Sequence, residues 1–459
     1  MIHDFSTDSR FKGLEPLKKR IWLASPTMHG EEEKWIHEAF TSNWVTTSGE
    51  NINQIEASIA QMVGVKYAVA LSSGTAALHL ATKLAAERLY GTALPNTGTL
   101  SGKKVFCSDL TFDASVNPVA YEDGEAVFID TGIDDWNMDP KALSKAFDLY
   151  PEVRLIILAH LYGTPGNVEE IRKIADEHNA LIVEDAAESF GAEVLVDRSS
   201  SPYFFRTADG VQDKQSNIWL QTGSLGDYSA ISFNGNKIIT GSCGGMFLTN
   251  EKAGSDKVRK WSTQSREAAP WYQHEEIGYN YRMSNIVAGV VRGQLGYLQE
   301  HINRKRAIYE KYKAAFADLP VKMNPYHAGK TKPNYWLSCL IIEESALAPH
   351  VRSDNTELWA HVTGKSNPGE ILSVMRAFGI EGRPIWKPMH LQPIYRNSPF
   401  ITAKGTGRGK SNAYIASQGG EDVDNGADIF ARGLCLPSDI KMSGTEQDYI
   451  IDVIRRCFR

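Results

Sequence analysis

A single lysine, Lys237, stands in the run 227–246, where two strand-like stretches flank a loop rich in Gly and Asn. Lysine is rarely buried, and an ammonium that loses water gives up its proton more readily, leaving an amine that can attack a carbonyl. Three other features could work with such an amine. At residues 72–75 a short apolar strand runs through Ser72-Ser73-Gly74-Thr75 into a helix, and open N–H groups at a helix start attract an anion such as phosphate. Glu184, Asp185 and Glu188 follow an apolar strand at the edge where open α/β sheets bind ligands. Phe112 supplies an aromatic face in a short non-helical stretch.

Each feature has a plainer reading as a surface turn, an ordinary helix cap or a solvated carboxylate, so the elements that would bring them together matter. The clearest unit covers residues 153–185: an apolar strand, a turn at 160–166, a helix at 167–179 and a second strand at 181–183. That order predicts parallel strands with a right-handed crossover. Asn167 and Glu170 have the spacing of a capping box. Further strands are expected at 67–71, 105–107 and 126–129. Helices are expected from Gly30, with Trp35, Ile36, Ala39 and Phe40 on one face, and through Ile52, Ile55, Ile59 and Met62. Ser284 is placed to cap one long helix running past Tyr312, long enough to bridge two domains. Residues 195–223 read as a polar surface insertion, and 402–425 as a Gly-rich loop.

The chain has 459 residues and a formal net charge of −6, too acidic for a nucleic-acid footprint. Without an apolar run of bilayer length or a secretory start, a cytoplasmic protein without membrane attachment is expected. The five cysteines lack zinc-like spacing and are expected to be reduced, mostly buried thiols; Cys243 reads as packing and no metal site is expected.

A phosphate seat, a carboxylate, an aromatic and a desolvated lysine are the parts that hold pyridoxal phosphate. At these residues the sequence resembles the pyridoxal phosphate-dependent nucleotide-sugar aminotransferases of fold type I, the DegT/DnrJ/EryC1/StrS family. The resemblance rests on Ser72-Ser73-Gly74-Thr75-Ala76-Ala77-Leu78, Glu184-Asp185-Ala186-Ala187-Glu188, Ser232-Phe233-Asn234-Gly235-Asn236-Lys237 and Gly278-Tyr279-Asn280-Tyr281-Arg282. It continues through residues 383–390 and 434–438, and within the family it is most similar to the transaminases of the bacillosamine pathway.

The resemblance implies an α/β fold with a large, mainly parallel-sheet domain at 25–300, an N-terminal arm at 1–24 and a smaller C-terminal α/β domain at 301–459. It implies that Lys237 is the Schiff-base lysine and Asp185 the partner of the pyridine nitrogen. Phe112 would stack on the ring, Gly74, Thr75 and Ser232 would hold the phosphate, and Asn280 would reach the phosphate of a neighbouring subunit, so that a homodimer shares its active sites. Glu188 stands where a neutral or cationic polar group is usual, and would be either protonated or turned toward substrate. Trp44, Thr46, His160, Tyr162, Arg383 and His390 would contact the sugar nucleotide, with L-glutamate as amino donor. The implied substrate is a UDP-linked 4-keto-6-deoxy N-acetylhexosamine; a GDP- or dTDP-linked keto-hexose and a non-catalytic cofactor-binding sensor stay open. Extra residues near 91–104, 197–221, 347–370 and 402–425 set the chain apart from shorter relatives.

Overall fold

The computed structural model describes residues 5, 8–201, 203–204, 217–406 and 424–459. The parts of the expected insertions at 205–216 and 407–423 lie outside the described residues.

Nine strands carry the first half of the chain: β1 (Tyr67–Leu71), β2 (Lys104–Ser108), β3 (Glu125–Ile129), β4 (Leu155–Ala159), β5 (Leu181–Asp185), β6 (Glu193–Asp197), β7 (Asn217–Gln221), β8 (Tyr228–Ser232) and β9 (Gly245–Thr249). Seven of them, with two short strands at Phe400–Thr402 and Gly405–Thr406, make one sheet in the order β1-β9-β8-β5-β4-β2-β3-400–402-405–406. From β8 through Phe400–Thr402 the pairings are parallel, while β9 runs antiparallel to both β8 and β1. Short all-apolar strands such as Leu155–Ala159, buried along their whole length, are what a parallel sheet covered on both faces demands. The expected unit at 153–185 is present, with β4 and β5 parallel on either side of the helix Val168–Glu177. The carboxyl ends of β4, β5 and β8 therefore open on one edge of the sheet.

A second sheet of four strands, Val321–Met323, Ser338–Ile342, Gly433–Leu436 and Arg383–Pro384, packs under the helices Pro368–Ala377 and Gly444–Arg456. Phe5, Phe11 and Ile21 of the expected arm are buried in the same apolar cluster as Ile371 and Ile454, so the arm is fastened to this C-terminal unit. Strand pairing crosses the boundary drawn at residue 301, because Phe400–Thr402 joins the large sheet beside β3.

Several expectations are corrected. The single long helix is two, Asn285–Leu295 and Leu298–Ala315, interrupted at Gly296 and Tyr297, where glycine favours a helix little and Tyr297 turns to stack on His29 at 3.6 Å. Ser284 does cap the first, accepting from the N–H of Val287. Asn167 makes no cap hydrogen bond; its amide instead donates to Glu170 at 2.9 Å, so no capping box forms. Phe40 is 61 % exposed, because the helix Glu31–Thr41 turns Ala39 rather than Phe40 toward its neighbour. Within 195–223 the described residues include most of β6 and all of β7, paired antiparallel, with Val196 and Leu220 buried. Within 347–370, His350–Arg352 and Glu357–Trp359 pair as a hairpin. No helix among the described residues is long and apolar enough to cross a membrane.

Candidate active site

Lys237 lies in the connection between β8 and β9. Its own N–H closes a turn on the carbonyl of Asn234 at 2.9 Å, and Ile238 and Ile239 are buried immediately after it. The turn lifts the lysine toward the sheet edge while the two isoleucines fasten its base. The ammonium sits 4.1 Å from the ring centroid of Trp336 and 3.6 Å from Glu188 Oε1, with the side chain 12 % exposed. Trp336 is itself locked to the same loop, its indole N–H donating to the carbonyl of Asn236 at 2.7 Å.

A cavity of about 290 Å³ opens in front of this amine. Its floor is the start of the helix Gly74–Tyr90, where Ser73 caps the helix by accepting from the N–H of Ala76. A side chain at position 74 would put its Cβ 2.8 Å from that of Ser232, so only glycine lets the helix start approach β8. Gly74, Thr75 and Ser232 all line the cavity, which brings the expected anion seat beside the lysine.

Asp185 ends β5 and faces the cavity. Its Oδ2 accepts from the Ser115 hydroxyl at 2.6 Å and its Oδ1 from the N–H of Ala187 at 3.0 Å; Ser115 Oγ is in turn 2.7 Å from Thr111 Oγ1. Strand alternation sends the preceding Glu184 the other way. That carboxylate accepts from the N–H groups of Gly223, Leu225 and Gly226 and from Ser229, and it meets His160 Nε2 at 3.2 Å. Burial would raise the Glu184 carboxyl, but His160 and these donors hold it below its ordinary value.

Glu188 also lines the cavity. Its Oε2 accepts from the N–H of Tyr162 at 2.8 Å and its Oε1 from the indole N–H of Trp386 at 3.2 Å. Burial pushes this carboxyl above the ordinary carboxylate range, against the pull of Lys237. Phe112 stands at the rim, 53 % exposed, its ring centroid 5.9 Å from that of Trp386.

Lys237, Asp185, Gly74, Thr75, Ser232, Phe112, Glu188 and His160 thus meet at one cavity. His160 is there in a different role: with Nδ1 accepting from Gly166 N–H and Nε2 facing Glu184, its imidazole is fully committed inside the protein. The other expected contacts lie elsewhere within one chain. Tyr162 is buried behind Glu188 with a left-handed φ of 52°, and its hydroxyl accepts from the N–H of Trp386. His390 is buried between Asp109 and Asp424, 2.8 and 2.9 Å away. Arg383 is exposed, pairs with Glu381 at 2.8 Å and borders a separate groove with Arg20 and Arg376. Trp44 and Thr46 are exposed in a turn fastened to Asn285, and Asn280 is exposed in a backbone bridge with Thr263. Neither the turn nor Asn280 lines the cavity of its own chain.

Sequence reasoning missed Trp336, Thr111 and Ser115 as neighbours of the lysine and of Asp185. No periodicity marks Trp336, and Thr111 and Ser115 lie in the short stretch around Phe112 without a recognisable motif. Cys243 is also corrected: it is exposed and lines the cavity, whereas the other four cysteines are buried.

Residues 26–455 match the model of the DegT/DnrJ/EryC1/StrS aminotransferase family. EpsN of Bacillus subtilis (strain 168), named as a pyridoxal phosphate-dependent aminotransferase, is 35 % identical over 447 residues, covering 96 % of this chain and 97 % of EpsN. GDP-perosamine synthase of Escherichia coli O157:H7 is 28 % identical over 440 residues, covering 96 % of this chain and 99 % of that enzyme. Among solved structures, DesI in the presence of its TDP-sugar product superposes with a TM-score of 0.74 at 22 % identity, over 99 % of this chain and 97 % of DesI. A DegT DnrJ EryC1 StrS aminotransferase from Brucella abortus gives 0.71 at 23 % identity, over 93 % and 94 %. The chain belongs to the DegT/DnrJ/EryC1/StrS aminotransferase family and is a pyridoxal phosphate-dependent enzyme of that class.

Proposed function

We propose that the enzyme transfers an amino group from L-glutamate to a UDP-linked 4-keto-6-deoxy N-acetylhexosamine, giving a 4-amino sugar nucleotide. The observation that carries the reading is the cavity in which the Lys237 amine, the Asp185 carboxylate and the helix start at Gly74 converge.

The residues present fit pyridoxal phosphate. The glycine-only approach between position 74 and Ser232 leaves a polar cradle of N–H and hydroxyl donors suited to a phosphate. Gly74, Thr75 and Ser232 would hold that group, Phe112 would cover one ring face, and Asp185 would keep the ring nitrogen protonated. Bound there, the cofactor supplies an electron-accepting ring bearing a carbonyl that can take up an amino group and pass it on. Asp185 is prepared for its part because Ser115 and the N–H of Ala187 fix both carboxylate oxygens. Lys237 would anchor the cofactor and then move protons between cofactor and substrate carbons, a double use that suits an amine on a fixed loop. Trp336 and Trp386 line the cavity beside the lysine and would limit the access of water to it.

Asn280, Trp44 and Thr46 are exposed and do not line the cavity of their own chain, and we read them as groups offered to a second copy, so that the working unit is a homodimer. Arg383 would meet the sugar nucleotide from the outer groove. A second reading, a GDP- or dTDP-linked keto-hexose as acceptor, is favoured by the likeness to GDP-perosamine synthase. Turnover of a panel of UDP-, GDP- and dTDP-linked 4-keto sugars with glutamate separates the two. Preference for the UDP-linked N-acetyl ketone supports the first reading; equal use of all, or preference for a GDP- or dTDP-linked ketone, overturns it.

A further inference from the structure

A second lysine, Lys305, is buried in the helix Leu298–Ala315 and borders no part of the cavity. A buried ammonium is costly unless its protons are bonded. Its Nζ donates to two backbone carbonyls, that of Trp336 at 3.0 Å and that of Ser438 at 2.9 Å. Trp336 stands just before the strand Ser338–Ile342 and Ser438 just after Gly433–Leu436, and these two strands pair antiparallel. Lys305 therefore ties its helix to one end of the smaller sheet, where the chain leaves that sheet for the cavity.

The turn before Trp336 needs such a hold. Tyr335 has a left-handed φ of 56°, a conformation that costs a residue with a side chain. Asn334 fastens the turn on one side: its Oδ1 accepts from the N–H of Trp336 at 2.8 Å, and its amide donates to the carbonyls of Glu188 and Phe190 at 2.9 and 3.0 Å. Lys305 fastens it on the other, at the Trp336 carbonyl. Held at both ends, Trp336 meets the lysine loop with its side chain. The indole N–H donates to the carbonyl of Asn236 at 2.7 Å, and the ring centroid lies 4.1 Å from the Lys237 ammonium.

We propose that Lys305 is a positioning residue that acts through Trp336: by holding the Trp336 carbonyl it seats the indole against Lys237 and its loop. The proposal rests on the pyridoxal phosphate reading of the cavity. Lys305→Met fills the same space without the two bonds. In the full-length enzyme labelled with ¹⁵N at tryptophan, solvent exchange of the Trp336 indole N–H, assigned with Trp336→Phe, should be about tenfold or more faster in Lys305→Met than in the wild type. The Trp261 indole N–H, bonded to Glu276 at 2.9 Å, should keep its wild-type rate, which separates a local release from general loosening. Amino transfer should fall about tenfold in Lys305→Met and return to within about threefold of wild type in Lys305→Arg, which keeps a charged donor. In a Trp336→Leu background, Lys305→Met should lower turnover by no more than about twofold further, because both changes break one chain of contacts. Unchanged exchange at Trp336, acceleration shared by Trp261, no rescue by arginine, or an undiminished loss in the Trp336→Leu background overturns the proposal. A wild type that attaches no pyridoxal phosphate would instead overturn the functional reading, while the indole exchange still tests the tether.

Discussion

Lys237 and His390 each place a cation beside buried carboxylates, and they differ in what lies in front of it. At Lys237 the ammonium stands 3.6 Å from Glu188 and borders a cavity of about 290 Å³. At His390 the imidazole is clasped at 2.8 Å by Asp109 and 2.9 Å by Asp424, with 4 % of its side chain exposed and Phe400 stacked on its ring at 3.9 Å. Asp424 caps the helix Asn425–Arg432, and Asp130 accepts from the first N–H groups of the same helix, so the cluster ties that helix to the ends of β2 and β3. A lysine held loosely beside open space can change partners, as chemistry requires. A histidine with both ring nitrogens occupied by carboxylates cannot, and its charge serves the architecture.

The largest effect that would break this contrast is expected at the lysine. Lys237→Ala should lower amino transfer by on the order of 10⁴-fold or more and abolish the visible absorption of the bound cofactor, with folding intact by circular dichroism. Asp185→Asn keeps the size and the contact with Ser115 but removes the charge; turnover should fall by about a hundredfold while the cofactor still binds.

The histidine cluster should answer in stability instead. His390→Ala leaves Asp109 and Asp424 facing each other without their cation and should cost about 3 kcal/mol in urea unfolding, with cofactor still attaching to Lys237. Its pH dependence sharpens the contrast. Burial alone would lower the His390 value, but Asp109 and then Asp424 raise it to about 10. An unfolded histidine titrates near about 6.5, so the stability from this proton is complete below that pH and is lost as pH rises through about 10. Wild-type stability should therefore fall across that window, and His390→Ala should flatten this part of the profile. The smallest effect belongs to Cys243, which borders the cavity without a polar partner role; Cys243→Ser should change turnover by no more than about twofold.

How much of this contrast the sequence could carry follows from which forces are local. The strand at 67–71, the helix start at Gly74 and the 153–185 unit are written in runs of neighbouring residues, by apolar content, small caps and turn residues, and they stand where expected. Asp185, Gly74, Thr75 and Lys237 come to one cavity because Asp185 ends a strand, Gly74 and Thr75 begin a helix and Lys237 follows a strand in the connection at the same sheet edge. His390 was misplaced because a histidine in a loop reads the same whether it faces substrate or two carboxylates from residues 109 and 424, far away in the chain. Trp336 escaped for the same reason: only the fold brings it under an amine about a hundred residues earlier in the chain, as a stabilising aromatic face. The broken helix at Gly296 was missed because apolar spacing continues across the break, and the stacking of Tyr297 on His29 is tertiary.

The central claim is that Lys237 is the amine at which the cofactor is held. Loading the enzyme with pyridoxal phosphate, reducing it with borohydride and mapping the peptides by mass spectrometry tests it directly. A stable phosphopyridoxyl adduct on the peptide containing Lys237, lost when excess glutamate is added before reduction, is the predicted result. An adduct on a different lysine, or none in a folded protein saturated with cofactor, would contradict the account.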